Sequence, residues 1–595
     1  MTPLDYVAIG LYFILVVGVG FYYARRAARG LDAYFLGGRG MHWLALAMSG
    51  SVSNFDITGT MWIISILYVL GMKSMWHHWM WGFLMGAFFL SYMGKWVRRS
   101  NVMTAAEWME TRFGSGAAGR LARVTAAAIA VLLTMSFIGY AFTGIGKFAS
   151  VYIPLERLAR HTDSVWIANL VTNHEATVLA LAIISLTTLY VLVGGLYGVV
   201  VTDVVQTVIL TAGSIVVACI AWAKLTPQAM ASLPADWTSL RVPWRIDALA
   251  GTENARFQFF GAMVMVWVAK GLLLNLGGPA QMYDAQRFLA ARHARDAAKI
   301  GAAWSVFLIV RWAMCAGIAL LAITGFAGVG DSEKVMPVVL MECLPAGIRG
   351  VVIAGLFAAF MSTFSSTVNC GASFIIRDIW QPWFGAGKDE HKAVRLSYAA
   401  TVGIVAAGVS IGFNAGSIAA IWDWMMMALS AGVVVPNVLR WYWWRMNGIG
   451  YAAATFLGVV LSAVSLIRPQ TPVYLVFPLI CGASLVAGIA ASLATRPVDG
   501  ETLVKFYRSV RPFGWWGPVR KAAEVHKRDR SESLGLTALN TVLGMGAILG
   551  LYLAPMYLVG HWYAKAGFWA ALTAGCVVIL KFTWYNHLPE ADPAA

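Results

Sequence analysis

Charge is what this sequence has least of. Only 12% of its 595 residues are Asp, Glu, Lys or Arg, about half the quarter found in soluble domains. So little charge excludes a disordered chain and a water-soluble enzyme. Cysteine is also scarce. The six, Cys219, Cys315, Cys343, Cys370, Cys481 and Cys576, lie far apart with no CxxC or metal-ligand spacing. This excludes a disulfide scaffold, and they read as small buried residues without a redox role. Apolar-polar alternation over ~10-residue strands is missing, which excludes a membrane β-barrel. No span carries a nucleophile-base pair or a cluster of His and carboxylate, so no enzyme is expected.

What the chain does have is apolar length. Hydrophobic residues make up 59% of it, and runs of the ~20 residues that cross a bilayer recur throughout. They fall at about 7–23, 42–70, 76–97, 121–150, 175–193, 197–224, 256–286, 298–326, 349–377, 394–413, 417–440, 449–467, 472–494, 535–557 and 562–586. The expectation is an all-α polytopic membrane protein of about 15 helices. The net charge of +16 sits in short loops, as at Arg25–Arg26–Arg29, Lys95–Arg98–Arg99 and Arg520–Lys521–Lys527. That is the positive-inside pattern of topology, so no nucleic-acid partner is expected. It places the N-terminus outside and the C-terminus in the cytoplasm of a cell-membrane protein. The first apolar run lacks a basic n-region and reads as a retained helix. The basic stretch 495–534, with Arg508, Arg511 and Arg520 beside Trp515–Trp516, reads as a solvated linker lying beside lipid, with an amphipathic segment on the membrane face as the alternative.

Two spans are interrupted. The second contains Ser49-Gly50-Ser51-Val52-Ser53-Asn54-Phe55-Asp56, and the seventh contains Asn275-Leu276-Gly277-Gly278-Pro279. Bare backbone at membrane depth is tolerated only where it lines protein or a watery cavity. Paired interruptions five helices apart point to a binding site between two inverted repeats. Span 349–377 adds five hydroxyls in six positions, Ser362, Thr363, Ser365, Ser366 and Thr367. A hard cation wants several oxygen ligands, and neutral hydroxyls with freed carbonyls near Ser49 and Val52 supply them. Packing and back-bonding to the helix are the competing reading. Ionisable residues inside spans mark pathways or ion pairs. They are Asp56, His77, His78, Asp203, Lys270, Arg311 and Asp423, with an Asp56–Lys270 pair among the candidates.

Several motifs stand in order: Asp32 to Arg39; Thr104 to Phe113 with Glu107 and Arg112; Gly194-Gly195 with Thr202-Asp203 and Gln206; Gln286-Arg287; and the hydroxyl-rich helix ending in Arg377-Asp378-Ile379. Over residues 5 to 500 the sequence resembles the sodium/solute symporter family of bacterial sugar, sialic acid and proline transporters. The resemblance implies a LeuT-type five-plus-five inverted repeat with an extra N-terminal helix and peripheral C-terminal helices. It implies a sodium site from Ser49, Val52, Ala359, Ser362 and Thr363, and a second from Asp203, Ser365 and Ser366. Na+ is the coupling ion so implied.

Solute contacts are expected at Asp56, His78, Ser51, Asn275, Lys270 and Trp424. The family's aromatic gate pair in the seventh span is replaced by Gly277-Gly278, and the proline transporter's acidic position is Ser51. The expected organisation is an N-terminal helix and loop (1–41), first repeat (42–224), second repeat (256–440), peripheral helices (441–494), basic loop (495–534) and C-terminal helices (535–595). The expected activity is sodium-coupled import of a small polar solute, a sugar or related polyol. The alternatives are an organic acid or amino acid held by Lys270 or Arg311, and a sensor or ion leak on the same scaffold. The expected partners are the solute, sodium and the lipid bilayer, with no obligate protein partner.

Overall fold

The computed structural model describes residues 1–27, 41–78, 82–102, 104, 106–155, 174–252, 254–278, 282–325, 330–384, 390–414, 418–467, 471–524 and 533–588. Among these there is no strand, only an isolated bridge between Trp443 and Trp515. The helices are α1 (Pro3–Ala27), α2 (Trp43–Ser53), α3 (Ile57–Leu70), α4 (82–99), α5 (Trp108–Phe113), α6 (Ala117–Tyr152) and α7 (Glu175–Lys224). Then come α8 (Phe260–Leu276), α9 (Met282–Leu289), α10 (Ala294–Trp304), α11 (Ile309–Ile323), α12 (Val335–Cys343), α13 (Ile348–Ser373) and α14 (Glu390–Phe413). The remainder are α15 (Ile418–Asp423), α16 (Ser430–Tyr442), α17 (Gly448–Ile467), α18 (Val473–Ala494), α19 (Gly500–Val510), α20 (Gly517–Ala522), α21 (Leu534–Val559) and α22 (Tyr563–Thr583).

Eleven helices among the described residues are long and apolar enough to cross a membrane. Two shorter apolar helices, α2 and α8, are the first halves of the interrupted spans. The spans expected separately at 175–193 and 197–224 form one 50-residue helix, α7. At 1.5 Å per residue it is about 75 Å long. Among the described residues there are three π turns, at Phe89–Met93 within α4, at Phe374–Trp380 after α13, and at Trp424–Leu429 between α15 and α16.

Burial sorts the helices into a centre and a periphery. The most apolar stretch of α13 is 94% buried, whereas that of α22 is 17% buried. The hydroxyl-rich helix is therefore the axis of the molecule. Around it stand α2, α6, α7 and α14, and α7 also contacts α1 and α11. Outward residues such as Leu479 and Val486 on α18 and Phe568 and Phe582 on α22 are bare apolar surface, the face a helix turns to lipid. Helix α21 packs on α11 and α4, and α17 on α16 and α18. At Gly432 and Gly458 a Cβ would lie 2.6 and 2.2 Å from the other helix's backbone, the close approach small residues permit.

Two expectations are corrected. Cys219 is exposed, and Cys481 and Cys576 are only partly covered. Cys481 and Cys576 lie on the outer helices α18 and α22, and Cys219 on a face of α7 turned away from its neighbours, so none of the three needs burial inside the protein. Over residues 500–524 the basic stretch is not a solvated linker. Helix α19 buries Leu503, Phe506, Tyr507 and Val510, the i, i+3, i+4, i+7 stripe of an amphipathic helix. Trp516 Nε1 donates to the Trp441 carbonyl at 2.9 Å, and the Trp515 N–H donates to the Tyr442 carbonyl at 2.7 Å. Arg112 is fully buried beneath this strap. It donates to the carbonyls of Arg440, Trp443, Trp444 and Met446 and lies 4.6 Å from the Trp516 ring. Lys505, Arg508, Arg520 and Lys521 of the strap face out, while Phe506, Tyr507, Phe513 and Trp516 face in.

Candidate ion and solute site

The first interruption is a helix end followed at once by a helix start. Asn54 closes α2, its N–H reaching the carbonyls of Gly50 and Ser51. Asp56 opens α3 as its N-cap, accepting the Gly59 N–H at 2.6 Å. A Cβ at Gly59 would come within 2.5 Å of that carboxylate, which would have to shift away from the cap to admit one. Asp56 also accepts from the Tyr140 hydroxyl at 3.1 Å and meets Arg311 at 3.4 Å. Arg311 then donates to the freed Asn54 carbonyl at 2.6 Å and to Thr60 at 3.1 Å. The expected Asp56–Lys270 pair is replaced by Asp56–Arg311. Ion pairing at Arg311 is expected from the sequence, but not its partner, because nothing local marks a carboxylate 255 residues away.

The hydroxyl-rich helix docks on the end of α2. Thr363 Oγ1 donates to the Ser53 carbonyl at 2.6 Å, and Ser362 Oγ lies 3.2 Å from Ser53 Oγ. The Ser49 carbonyl accepts from Ser53 Oγ, that of Val52 from the Phe55 N–H, and that of Ala359 from Thr363 Oγ1. All five residues expected to form the first ion site thus lie on the two helix segments that meet here. The set is neutral, oxygen-rich and buried, the chemistry a hard monovalent cation needs.

Asp203 on α7 is fully buried and accepts from Ser49 Oγ at 2.5 Å. Ser366 lies in the same cluster, 3.1 Å from Ser53 Oγ. Ser365 does not join them by hydrogen bond, because its hydroxyl donates back to the Ser362 carbonyl at 3.0 Å. A residue absent from the expected set stands at the centre. Arg287 on α9 donates to Ser49, Ser53 and Ser366 at 3.1, 3.1 and 2.6 Å. Its Nη2 is 3.6 Å from the Asp203 carboxylate, with both side chains wholly buried. Its signal in the sequence is the Gln286-Arg287 motif, which gives no hint of its partners. The same short helix sends Asp284 to Asn54 Nδ2 at 3.1 Å, so the segment after the second break rests on the segment before the first.

The second interruption begins at Gly277, whose carbonyl accepts from Trp441 Nε1 at 2.9 Å and Arg440 Nη2 at 3.3 Å. Gly278 comes next with φ of 118°, a conformation glycine alone adopts freely. Pro279 lies outside the described residues, as do the motif at 32–39 and the side chain of His78.

The expected solute residues divide. Asp56 leads through Tyr140 to a run of aromatic rings. Tyr140 and Trp422 are 5.2 Å apart, Trp422 and Trp62 5.4 Å, and Trp62 and Trp267 6.1 Å. Lys270 joins this group, its ammonium 5.0 Å from the Trp267 ring, with Asp423 as its opposite charge. His77 also joins it, 5.1 Å from Trp267. Ser51 does not. Its hydroxyl donates to the Trp304 carbonyl at 2.7 Å, and a Cβ at neighbouring Gly50 would meet the Trp304 ring at 2.0 Å. Ser51 is a packing contact between α2 and α10. Asn275 donates to the Gly271 carbonyl of its own helix at 2.7 Å, and Trp424 is partly buried in the π turn.

The remaining motif residues form a separate cluster. Asp378 accepts from Thr104 at 2.7 Å and Arg123 at 2.8 Å, and Arg377 meets Glu107 at 3.3 Å. Motifs some 270 residues apart thus close one polar clamp beside α6.

A family model described as "Sodium:solute symporter family" matches residues 164–458. A sodium/mannose cotransporter of Bos taurus is 27% identical, over 78% of this chain and 79% of its own. The osmoregulated proline transporter of Bacillus subtilis is 22% identical, over 82% of this chain and 94% of its own. Among solved structures, a Na+-coupled sialic acid symporter in a substrate-bound outward-open state superposes with a TM-score of 0.62 at 18% identity, covering 84% of this chain and 99% of that one. That likeness carries the fold, a LeuT-type bundle. With an all-helical membrane architecture and these matches along most of its length, the chain is similar in sequence and fold to members of the sodium:solute symporter family.

Proposed function

We propose that the chain is a sodium-coupled symporter that imports a small polar solute, a sugar or related polyol, across the cell membrane. The observation that carries the sodium reading is the docking of Thr363 and Ser362 onto the end of α2. It assembles neutral oxygens from two helices that a repeat-against-repeat motion would separate. Sodium bound there holds the two together, and the solute binds the state so held. By linkage, solute must raise sodium affinity by the same factor. The relatives' names support sodium coupling but differ in solute, mannose in one and proline in another.

The polyol reading rests on the aromatic run. Ring faces cover the apolar faces of a sugar. The indole N–H of Trp267 and both nitrogens of His77 are buried without a hydrogen-bond partner among the described residues, and hydroxyls would satisfy them. Asp56 is a weaker reason than its position suggests, because its oxygens already hold the break together. Lys270 favours the second reading, an organic acid, since its ammonium lies on the same Trp267 ring. The expected topology, N-terminus outside, and the two five-helix repeats at 42–224 and 256–440 belong to this proposal.

The test is sodium-driven uptake into proteoliposomes of a panel of neutral sugars, sugar acids and amino acids. Accumulation of a neutral sugar with sodium and not with potassium is expected. Uptake driven by a proton gradient without sodium would overturn the ion assignment. Uptake of acids alone would select the second reading.

A further inference from the structure

Arg287 stands where a second cation would stand. Its guanidinium hydrogen-bonds three serine hydroxyls from two helices and faces the Asp203 carboxylate from 3.6 Å. Every group in this cluster is at most 1% exposed. We propose that Arg287 is a tethered cation which competes with sodium for the Asp203 position and so sets how many ions the carrier takes. The inference rests on the sodium-symport reading above.

The argument is one of charge and mobility. A carboxylate sealed away from water is costly unless a positive charge accompanies it. Arg287 supplies that charge from within the chain, so the ion-free carrier can reorient without a bare anion at its centre. The contact is incomplete, however. Asp203 Oδ2 takes Ser49 and Arg287, whereas Oδ1 is buried without a hydrogen-bond donor among the described residues. A guanidinium would pair both oxygens of a carboxylate if it could. Here it bonds three hydroxyls and meets the carboxylate only at 3.6 Å, which leaves the carboxylate open to a better-fitting cation. Arg287 rides on α9, an eight-residue helix that begins just past Gly277-Gly278, and Gly278 has the positive φ that lets chain direction change. Withdrawal of α9 would carry the guanidinium out of the cluster and expose Asp203, Ser49 and Ser366 together. The ligand that takes its place is a small monovalent metal cation, with one carboxylate and two or more hydroxyls for ligands.

The experiment is equilibrium binding of radioactive sodium to the purified, detergent-solubilised chain, without solute. The wild type, Arg287→Met, Asp203→Asn, Thr363→Ala and the double variant Arg287→Met/Asp203→Asn are compared. Removing the tethered charge should tighten sodium binding about tenfold and raise the bound ions per chain, within the range of coupling between sites. The double variant should lose the gain, while retaining the sodium binding that Thr363 supports. An Arg287→Met protein that binds sodium no more tightly than wild type overturns the proposal, as does a gain that survives in the double variant. Absence of sodium binding in the wild type and in every variant would instead sink the sodium-symport reading. If Arg287→Met does not fold, Arg287→Lys serves. One ammonium cannot hold three hydroxyls at once, so a smaller gain is expected, and no gain overturns the proposal equally.

Discussion

A hydroxyl and a carboxylate near the first interruption have different work. Thr363 Oγ1 bridges two helices that we propose part during transport, so its loss should be felt as ion affinity. Thr363→Ala is expected to raise half-saturating sodium for uptake about tenfold, some 1.4 kcal/mol, while Thr363→Ser stays near wild type. Asp56 caps one helix and balances Arg311, so its loss should be felt first as stability. Asp56→Ala removes a cap worth about 1 kcal/mol and leaves Arg311 without its carboxylate, costing several kcal/mol more. A lower melting temperature is expected for Asp56→Ala than for Asp56→Asn, which keeps an oxygen for the Gly59 N–H. An unchanged melting temperature in both would show that the staple does not hold the break. Both roles are partly legible in the sequence. The hydroxyl run and the acid in the break stand out from any apolar span. Arg311 is legible as a charge inside a span and Arg287 as part of a motif, but their partners are not, because these lie far off in the sequence on other helices.

At the scale of elements, periodicity and length mark the helices, and glycine, serine and proline mark both interruptions. The stretch 495–534 misleads because its basic residues dominate its composition. Yet Leu503, Phe506, Tyr507 and Val510 carry a helical stripe, and only the tertiary structure shows that Trp441 and Arg112 cover it. Through Trp441 Nε1, which donates to Gly277, the strap is joined to the second interruption. Trp516→Ala removes a fully buried indole and its bond to Trp441, a change that costs about 3–5 kcal/mol in a packed core. Faster proteolytic cleavage within 500–524 is expected, with slower sodium-dependent uptake. Cleavage at the wild-type rate would mean that the strap is not held by this side chain.

The whole molecule has a buried axis in α13 and loosely covered outer helices. Ligands of the axis should stabilise everything that packs on it. Sodium at ~100 Kd is expected to add about 2.7 kcal/mol of apparent stability, read as a rise in melting temperature that potassium does not reproduce. Truncation before Tyr563 removes the largely bare α22 with the residues that follow it, Trp584 and its bond to the Leu90 carbonyl among them, and should leave half-saturating sodium unchanged. A shift on truncation would tie that helix to the ion site. The π turns give this architecture one more property. Each accommodates an extra residue within a continuous helix, and the one at Phe374–Trp380 sets the direction of Arg377 and Asp378. Deleting one residue there would restore ordinary winding and rotate the rest of the helix by about 100°. Asp378 would then face away from Arg123 and Thr104. The clamp is thus a matter of phase: the insertion acts as an angular offset, and chain length, as much as residue identity, keeps the two sides of the molecule in register.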